Sequence, residues 1–424
     1  MRTHRIMEHN NAPGSAIVVG AGIVGLSIAL RLRMDGHPVT VIDNNAPMSG
    51  VSSGNAGYLS EANIFPPATP DLLRRLPRLL LDKDGPLVVQ PRYALRLLPW
   101  AWRAVAALRP QPYQAVLSNM AALTGQAIAA FDELTREASA QHLVSRDGGL
   151  VAFRSEAALD AKCRALPVWN SYGLAAERVS AASVRELEPA LCQDIAGGIF
   201  YPNAGRCSNP RALGEHYARR LVELGGAILR DEVRAVRQAA PGRAEVVTAH
   251  GTHSAASVVV AAGYRSGPLL AELGYRVPLA AERGYHLMLP DAGISLRRPV
   301  VFGEPYFAAT PMDEGLRLAG TAEFAHADAK PDMRRATMLL RLARAYLPGI
   351  RGTVARPWMG VRPSFPDGMP AIGRVGHAPS VFYAFGHAHS GLTTSAITAR
   401  CMSSLVRDMP PPLELSAFRL ERFH

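Results

Sequence analysis

The chain has 424 residues, 48% hydrophobic and 19% charged, a globular composition able to bury a large core in two packed domains. Its net charge is +11, but only Lys83, Lys162 and Lys330 are lysines among 46 basic residues, and the arginines run through the whole length, which argues against a nucleic-acid face. Cys163, Cys192, Cys207 and Cys401 form no CxxC pair and no dense framework, which argues against a disulfide scaffold and a zinc site.

Met1 to Gly14 is polar and lacks the apolar core of a signal peptide, and no apolar run reaches the roughly 20 residues that span a bilayer. The expectation is a cytoplasmic protein. Ala16 to Val19 is a short apolar strand that meets Gly20-Ala21-Gly22-Ile23-Val24-Gly25. A helix follows through Leu26, Leu30 and Leu32 to Gly36, and a second strand, Val39 to Ile42, ends at Asp43. In such a βαβ unit Gly20 allows the tight turn, Gly22 lets backbone reach a pyrophosphate, and Gly25 lets helix pack on strand. Asp43 stands where it accepts from ribose hydroxyls. Ser52 to Gly57 is a small-residue loop whose backbone approaches a ligand closely.

Residues 71–110 are leucine-rich and basic. Arg74, Arg75, Arg78, Lys83, Arg92, Arg96, Arg103 and Arg109 stand against Asp71, Asp82 and Asp84, with Trp100 and Trp102 among apolar neighbours. The favoured reading is a pair of amphipathic helices covering a substrate domain; the second is peripheral membrane contact with anionic lipid, near a quinone pool. A helical stretch over 112–140 precedes a β-rich patch near Leu150, and Asn209-Pro210 opens a helix that runs to Gly225-Gly226. Val258 to Ala262 reads as a buried parallel strand that stops at Gly263. Gly284–Leu289, Tyr306–Thr310 and Leu316–Thr321 read as strands.

Late in the chain, Gly360-Val361-Arg362-Pro363 leads through Pro366-Asp367-Gly368 to Gly386–Thr393, ahead of a helix over Thr394–Val406. A helix N-terminus there suits the negative charge that develops at N1 of a reduced flavin, a need that a nicotinamide enzyme lacks. Arg362 is suited to clamp a carboxylate bidentately, and Tyr306 to add a hydrogen bond to the same group. His387 and His389, two apart with no third ligand, make a poor metal site; His389 reads as a pocket wall, and no metal is expected.

These motifs together resemble the FAD-dependent D-amino-acid oxidase superfamily, and within it the bacterial D-amino-acid dehydrogenase branch. The shared pieces are the GAGIVG turn with Asp43, Asn55-Ala56-Gly57, Val258 to Gly263, Arg283-Gly284-Tyr285-His286, Gly360 to Pro363 and Gly386 to Thr393. The resemblance implies an α/β fold: a discontinuous Rossmann-like FAD domain (1–64, 198–265, 356–424) with a mixed-sheet α+β substrate domain (65–197, 266–355). It implies FAD contacts from Gly20, Ala21, Gly22, Ile23, Val24, Gly25, Asp43, Asn44, Ser53, Asn55, Ala56, Gly57, Val233, Ala262, Gly263, Gly391, Leu392 and Thr393. Arg362, Tyr306 and His389 are its catalytic candidates. The implied reaction is hydride transfer from the α-carbon of a D-amino acid to flavin N5, with electrons passed to a quinone or other carrier. An oxygen-using oxidase and a flavin-bearing subunit without catalysis are the alternatives. Ser53-Gly54 and the lysine-free Arg283–His286 element depart from the branch and suit D-proline or hydroxy-D-proline substrates. The absence of cysteine from Gly360–Pro370 implies non-covalent flavin.

Overall fold

A computed structural model describes residues 13–69, 73–76, 79, 82 and 85–424. Most of the N-terminal segment, and Asp71, Pro77, Arg78, Lys83 and Asp84 of the basic segment, lie outside the described residues.

Strand β1 (Ala16–Val19), helix α1 (Ile23–Met34) and strand β2 (Val39–Asp43) form the expected βαβ unit. Every residue of β1 is buried, as a strand covered on both faces requires. The strand pairs in parallel with β2 on one side and Ser257–Val260 on the other, so that Val19 lies between Ile42 and Val260. The complete sheet has six strands in the order Ala227–Arg230, β2, β1, Ser257–Val260, Ala378–Phe385, Ala371–Val375, and only the last pairing is antiparallel. The carboxyl ends of the parallel strands deliver Gly20, Asp43 and Ala261 to one edge, the usual ligand edge of an open α/β sheet.

A nine-stranded mixed sheet forms the second layer. Its edge relevant to function is built from β3 (Ala280–Leu289), β4 (Gly315–Phe324) and β5 (Arg356–Ser364), with β3 antiparallel to both neighbours. Glu177–Ser180, Gly197–Tyr201, Gly149–Phe153, Val300–Phe302 and Phe307–Met312 complete the path, and Leu87–Val89 pairs with β4. Every residue of β3 is buried although Glu282 and Arg283 lie within it. Register explains how both charges are tolerated. Glu282 faces Arg362 of β5, and Arg283 faces Glu323 of β4, so each buried charge meets an opposite one across a ladder. Arg283 Nε lies 3.3 Å from Glu323 Oε2, and Tyr285 Oη and Gln90 Nε2 donate to Glu323 at 2.5 and 2.8 Å. Between Arg283 and Tyr285 the β3–β4 register shifts, and Thr321 takes a φ of +61°, a rare conformation for a β-branched residue.

Helix α2 (Pro91–Ala106) lies over the second sheet, with Tyr93, Leu97 and Ala104 buried. The indole N–H of Trp100 donates to Ser364 O of β5 at 2.9 Å, and its ring packs on Phe324 with centroids 5.2 Å apart. The expected single helix over 112–140 is two, Pro110–Thr124 and Ala127–Glu137, broken at Gly125. Asn209 caps Pro210–Glu223 by accepting from the Ala212 N–H at 3.0 Å. Among the described residues no helix is long and apolar enough to cross a membrane.

Candidate active site

A cavity of about 2480 Å³ runs from the N-terminus of α1 to β5, and two helix ends open into it. At α1 the first intrahelical bond is Leu26 N–H to Gly22 O, and no side chain of the Gly22 cap position covers the end. The Ile23 N–H donates instead to Ser52 Oγ at 3.1 Å. The second end belongs to α3 (Gly391–Val406), which starts three residues earlier than its sequence suggests. Ser390 does not cap it, because its hydroxyl donates to His387 O at 2.9 Å. Gly391, Leu392 and Thr393 therefore present their amides where the cavity passes. Two helix ends whose own cap residues leave them open face one cavity, the one at the glycine turn with Ser52 Oγ on a single amide. They fit a dinucleotide with an anionic pyrophosphate and an electron-poor ring.

The glycines carry distinct loads. A Cβ on Gly20, at φ +113°, would lie 2.5 Å from Ala261 O. A Cβ on Gly25 would lie 2.0 Å from Gly20 O, so close packing of α1 on β1 admits only glycine there. Asp43 accepts from the Ala21 N–H at 2.8 Å and from the Asn45 N–H at 2.9 Å, which fixes its carboxylate at the cavity rim.

The Ser52–Gly57 loop is gripped from behind. Arg317 Nη1 donates to Ser53 O at 3.2 Å and Asn55 O at 2.6 Å, and His286 Nδ1 donates to Gly54 O at 3.1 Å. The His286 ring stacks on Trp358 with centroids 4.7 Å apart, and a Cβ on Gly54 would strike that indole at 2.1 Å. Burial, then the Arg317 charge, pushes His286 down to about 3. Burial alone pushes His387, bonded to Thr398 Oγ1, down to about 3. Both histidines bind protons more readily when unfolded. Stability is therefore intact above the ordinary histidine value of about 6.5 and falls as pH drops toward 3. The expected slope is about 1.4 kcal/mol per pH unit for each of them. Denaturant titrations across that window check this, and His286→Gln is expected to remove about half of the slope these two histidines cause.

At the far end, Arg362 Nη1 donates to Glu282 Oε1 at 2.8 Å and to Thr321 O at 3.2 Å, leaving Nε and Nη2 without a protein partner among the described residues. Gly284 makes room for the guanidinium, since a Cβ there would lie 2.0 Å from Nη2. His389 Nε2 lies 3.0 Å from the same Glu282 oxygen, and Ser364 Oγ donates to Oε2 at 2.5 Å. Burial pushes the Glu282 carboxyl up, but His389, Arg362 and Ser364 together hold it well below the usual carboxylate range.

Of the residues singled out from sequence, Gly20 to Val24, Asp43, Asn44, Asn55, Ala56, Val233, Ala262, Gly263, Tyr306, Arg362, His389 and Gly391 to Thr393 line this cavity. Gly25, Ser53 and Gly57 do not. Ser53 is buried and donates to Gly50 O at 3.0 Å, while its neighbour Ser52 faces the cavity. Tyr306, expected to open a strand over Tyr306–Thr310, sits instead in the turn before Phe307–Met312, at φ +55° and 43% exposed. Its hydroxyl accepts from Arg75 Nη1 at 2.5 Å, and the Arg75 guanidinium lies 5.5 Å over its ring. Glu282 and Arg317 are missed by sequence reasoning; for Glu282 the one available signal is an acid that follows apolar residues, two positions before Gly284.

The family described as FAD dependent oxidoreductase matches residues 15–405. The chain belongs to that family. It is 32% identical over 413 residues to a D-amino-acid oxidase of Bradyrhizobium diazoefficiens, covering 96% of this chain and 98% of the relative. It is 31% identical over 418 residues to a D-amino acid dehydrogenase of Sinorhizobium medicae, covering 96% and 99%. Among solved structures, glycine oxidase from Geobacillus kaustophilus superposes with a TM-score of 0.74 at 22% identity, over 96% of this chain and 98% of that one. As a member of the family, this FAD-dependent oxidoreductase has in the two helix ends that face the cavity the residues that suit its cofactor.

Proposed function

We propose that this flavoenzyme oxidises a D-amino acid to its imino acid, which water then converts to a 2-oxo acid and ammonia. The observation that carries the reading is Arg362: a guanidinium anchored on one edge by Glu282 and Thr321 O, with its remaining donors free among the described residues and beside the flavin-suited end of α3. In this reading Arg362 takes the substrate carboxylate, Tyr306 and His389 wall the pocket, and the Gly20–Gly25 turn holds the pyrophosphate. FAD bound along the cavity supplies the two-electron acceptor. The FAD half comprises 1–64, 198–265 and 356–424 and the substrate half 65–197 and 266–355, with β5 and the strand Gly197–Tyr201 reaching into the sheet of the latter. The names of the relatives support the D stereochemistry.

Anaerobic titration of the purified yellow protein with D- and L-amino acids tests the reading. Bleaching of the flavin by D-amino acids is expected. A flavin that no D-amino acid bleaches would overturn it.

The electron acceptor in this reading is a lipid-soluble carrier such as a quinone, reached at a membrane surface. α2 supports this, because covering the cavity accounts for only one of its faces. Leu95 and Trp102 lie on one stripe of the other and are exposed by 80% and 72%; Leu98 and Val105 beside them are exposed as well and border the cavity. Arg92, Arg96, Arg103 and Arg109 flank the stripe, and no acid occurs between Asp84 and Asp132, which complements an anionic bilayer. Leu95→Ser/Trp102→Ser is expected to weaken co-sedimentation with phosphatidylglycerol vesicles about tenfold. A wild-type protein that stays in the supernatant at low salt would remove the membrane from the proposal.

A further inference from the structure

The Arg362 clamp is paired with a buried carboxylate that the oxidation itself does not call for. Glu282 is 4% exposed, yet it borders the cavity. Its Oε1 takes both Arg362 Nη1 and His389 Nε2, and among the described residues its Oε2 holds a single bond, from Ser364 Oγ. A carboxylate oxygen accepts two hydrogen bonds, so Oε2 retains acceptor capacity. As a counter-ion Glu282 orients Arg362, but it also weakens the attraction of that guanidinium for a substrate carboxylate. An amino acid changes that balance, because it brings a positive group one carbon away from its negative one.

We infer that Glu282 supplies the anionic half of a zwitterion site: Arg362 takes the α-carboxylate, and Glu282 attracts the α-ammonium of the arriving amino acid, which loses one proton to water before its α-hydride leaves. The inference rests on the amino-acid reading above and names a specificity-determining residue within it. The cavity then prefers amino acids to acids of the same shape that lack the amine. It also releases a 2-oxo acid product more readily than it binds substrate, since hydrolysis of the imine removes the group that Glu282 attracts. Register is what brings the two halves together: Glu282 and Arg362 are 80 positions apart in the chain and directly opposed across β3 and β5.

A matched pair of ligands tests this without turnover. α-Aminoisobutyrate has no α-hydrogen to transfer, and isobutyrate is the same acid without the amine. Perturbation of the flavin spectrum gives the affinity for each. Wild type is expected to prefer α-aminoisobutyrate by about tenfold or more, the worth of one charge-assisted contact. Glu282→Gln, which keeps the shape and an acceptor oxygen for Arg362, is expected to lose that preference while isobutyrate binds as well or better. A wild type without the preference, a variant that keeps it, or a variant that weakens both ligands equally would each overturn the inference. If Glu282→Gln fails to fold with FAD, Glu282→Asp retains the charge and is expected to keep the preference; its loss there counts against the proposal. Bleaching of the wild type by D-amino acids separates the two readings: its failure sinks the reaction, whereas an absent amine preference in a bleachable enzyme sinks only the role of Glu282.

Discussion

Arg362→Ala is expected to lower kcat/KM for a D-amino acid by about a hundredfold or more, with most of the loss in KM. The side chain gives one edge of its guanidinium to Glu282 and Thr321 O and keeps the other for a ligand. Truncation removes a bidentate, charge-assisted contact in a site where water competes poorly. It also leaves the buried Glu282 carboxylate with only His389 and Ser364, so about 3 kcal/mol of stability is expected to go with it. Arg362→Lys restores a charge but not the planar fork, and is expected to recover only part of the activity. Single-turnover flavin reduction at rising substrate concentration is the measurement. An unchanged concentration dependence in the alanine variant would mean that the carboxylate is held elsewhere.

The second large effect is expected at Gly25. A methyl group there meets the Gly20 carbonyl oxygen at 2.0 Å, and that atom belongs to backbone between β1 and α1, where no side chain can swing aside. For Gly25→Ala, α1 must lift from the sheet, which spoils the α1 end that faces the cavity. Destabilisation of about 3 kcal/mol and a protein isolated largely without flavin are expected. The ratio of visible flavin to protein absorbance, with thermal unfolding in the presence and absence of added FAD, checks both parts. Full flavin content would show that the turn tolerates a wider spacing.

What the sequence made legible follows from how local each signal is. The β1–α1–β2 unit was readable because a strand buried on both faces is apolar throughout and its glycines sit at fixed offsets from it. α3 was readable except for its first turn, where the low helix propensity of Gly391 hides the true start. Tyr306 has the aromatic side chain that strands favour, yet the chain is still turning there, held at positive φ beside Arg75. β3 was half seen, because buried charges at Glu282 and Arg283 break the apolar pattern. What neutralises them comes from β4 and β5, and nothing local announces pairing across such distances. The grip of Arg317 and His286 on the Ser52–Gly57 loop was invisible for the same reason.

The adjacent charges of β3 carry one more consequence. Because neighbouring residues of a strand point to opposite faces, a slip of β3 by one position would exchange them, offering a cation to the cavity and an acid to the core. The charge pattern of the pocket is thus written in strand alignment as much as in residue identity. Insertion or deletion of a single residue ahead of Glu282 would invert the polarity of the pocket while leaving every one of its side chains in the polypeptide. The irregularity at Thr321, where β4 gives up regular pairing opposite Gly284, acts as a detent against that slip.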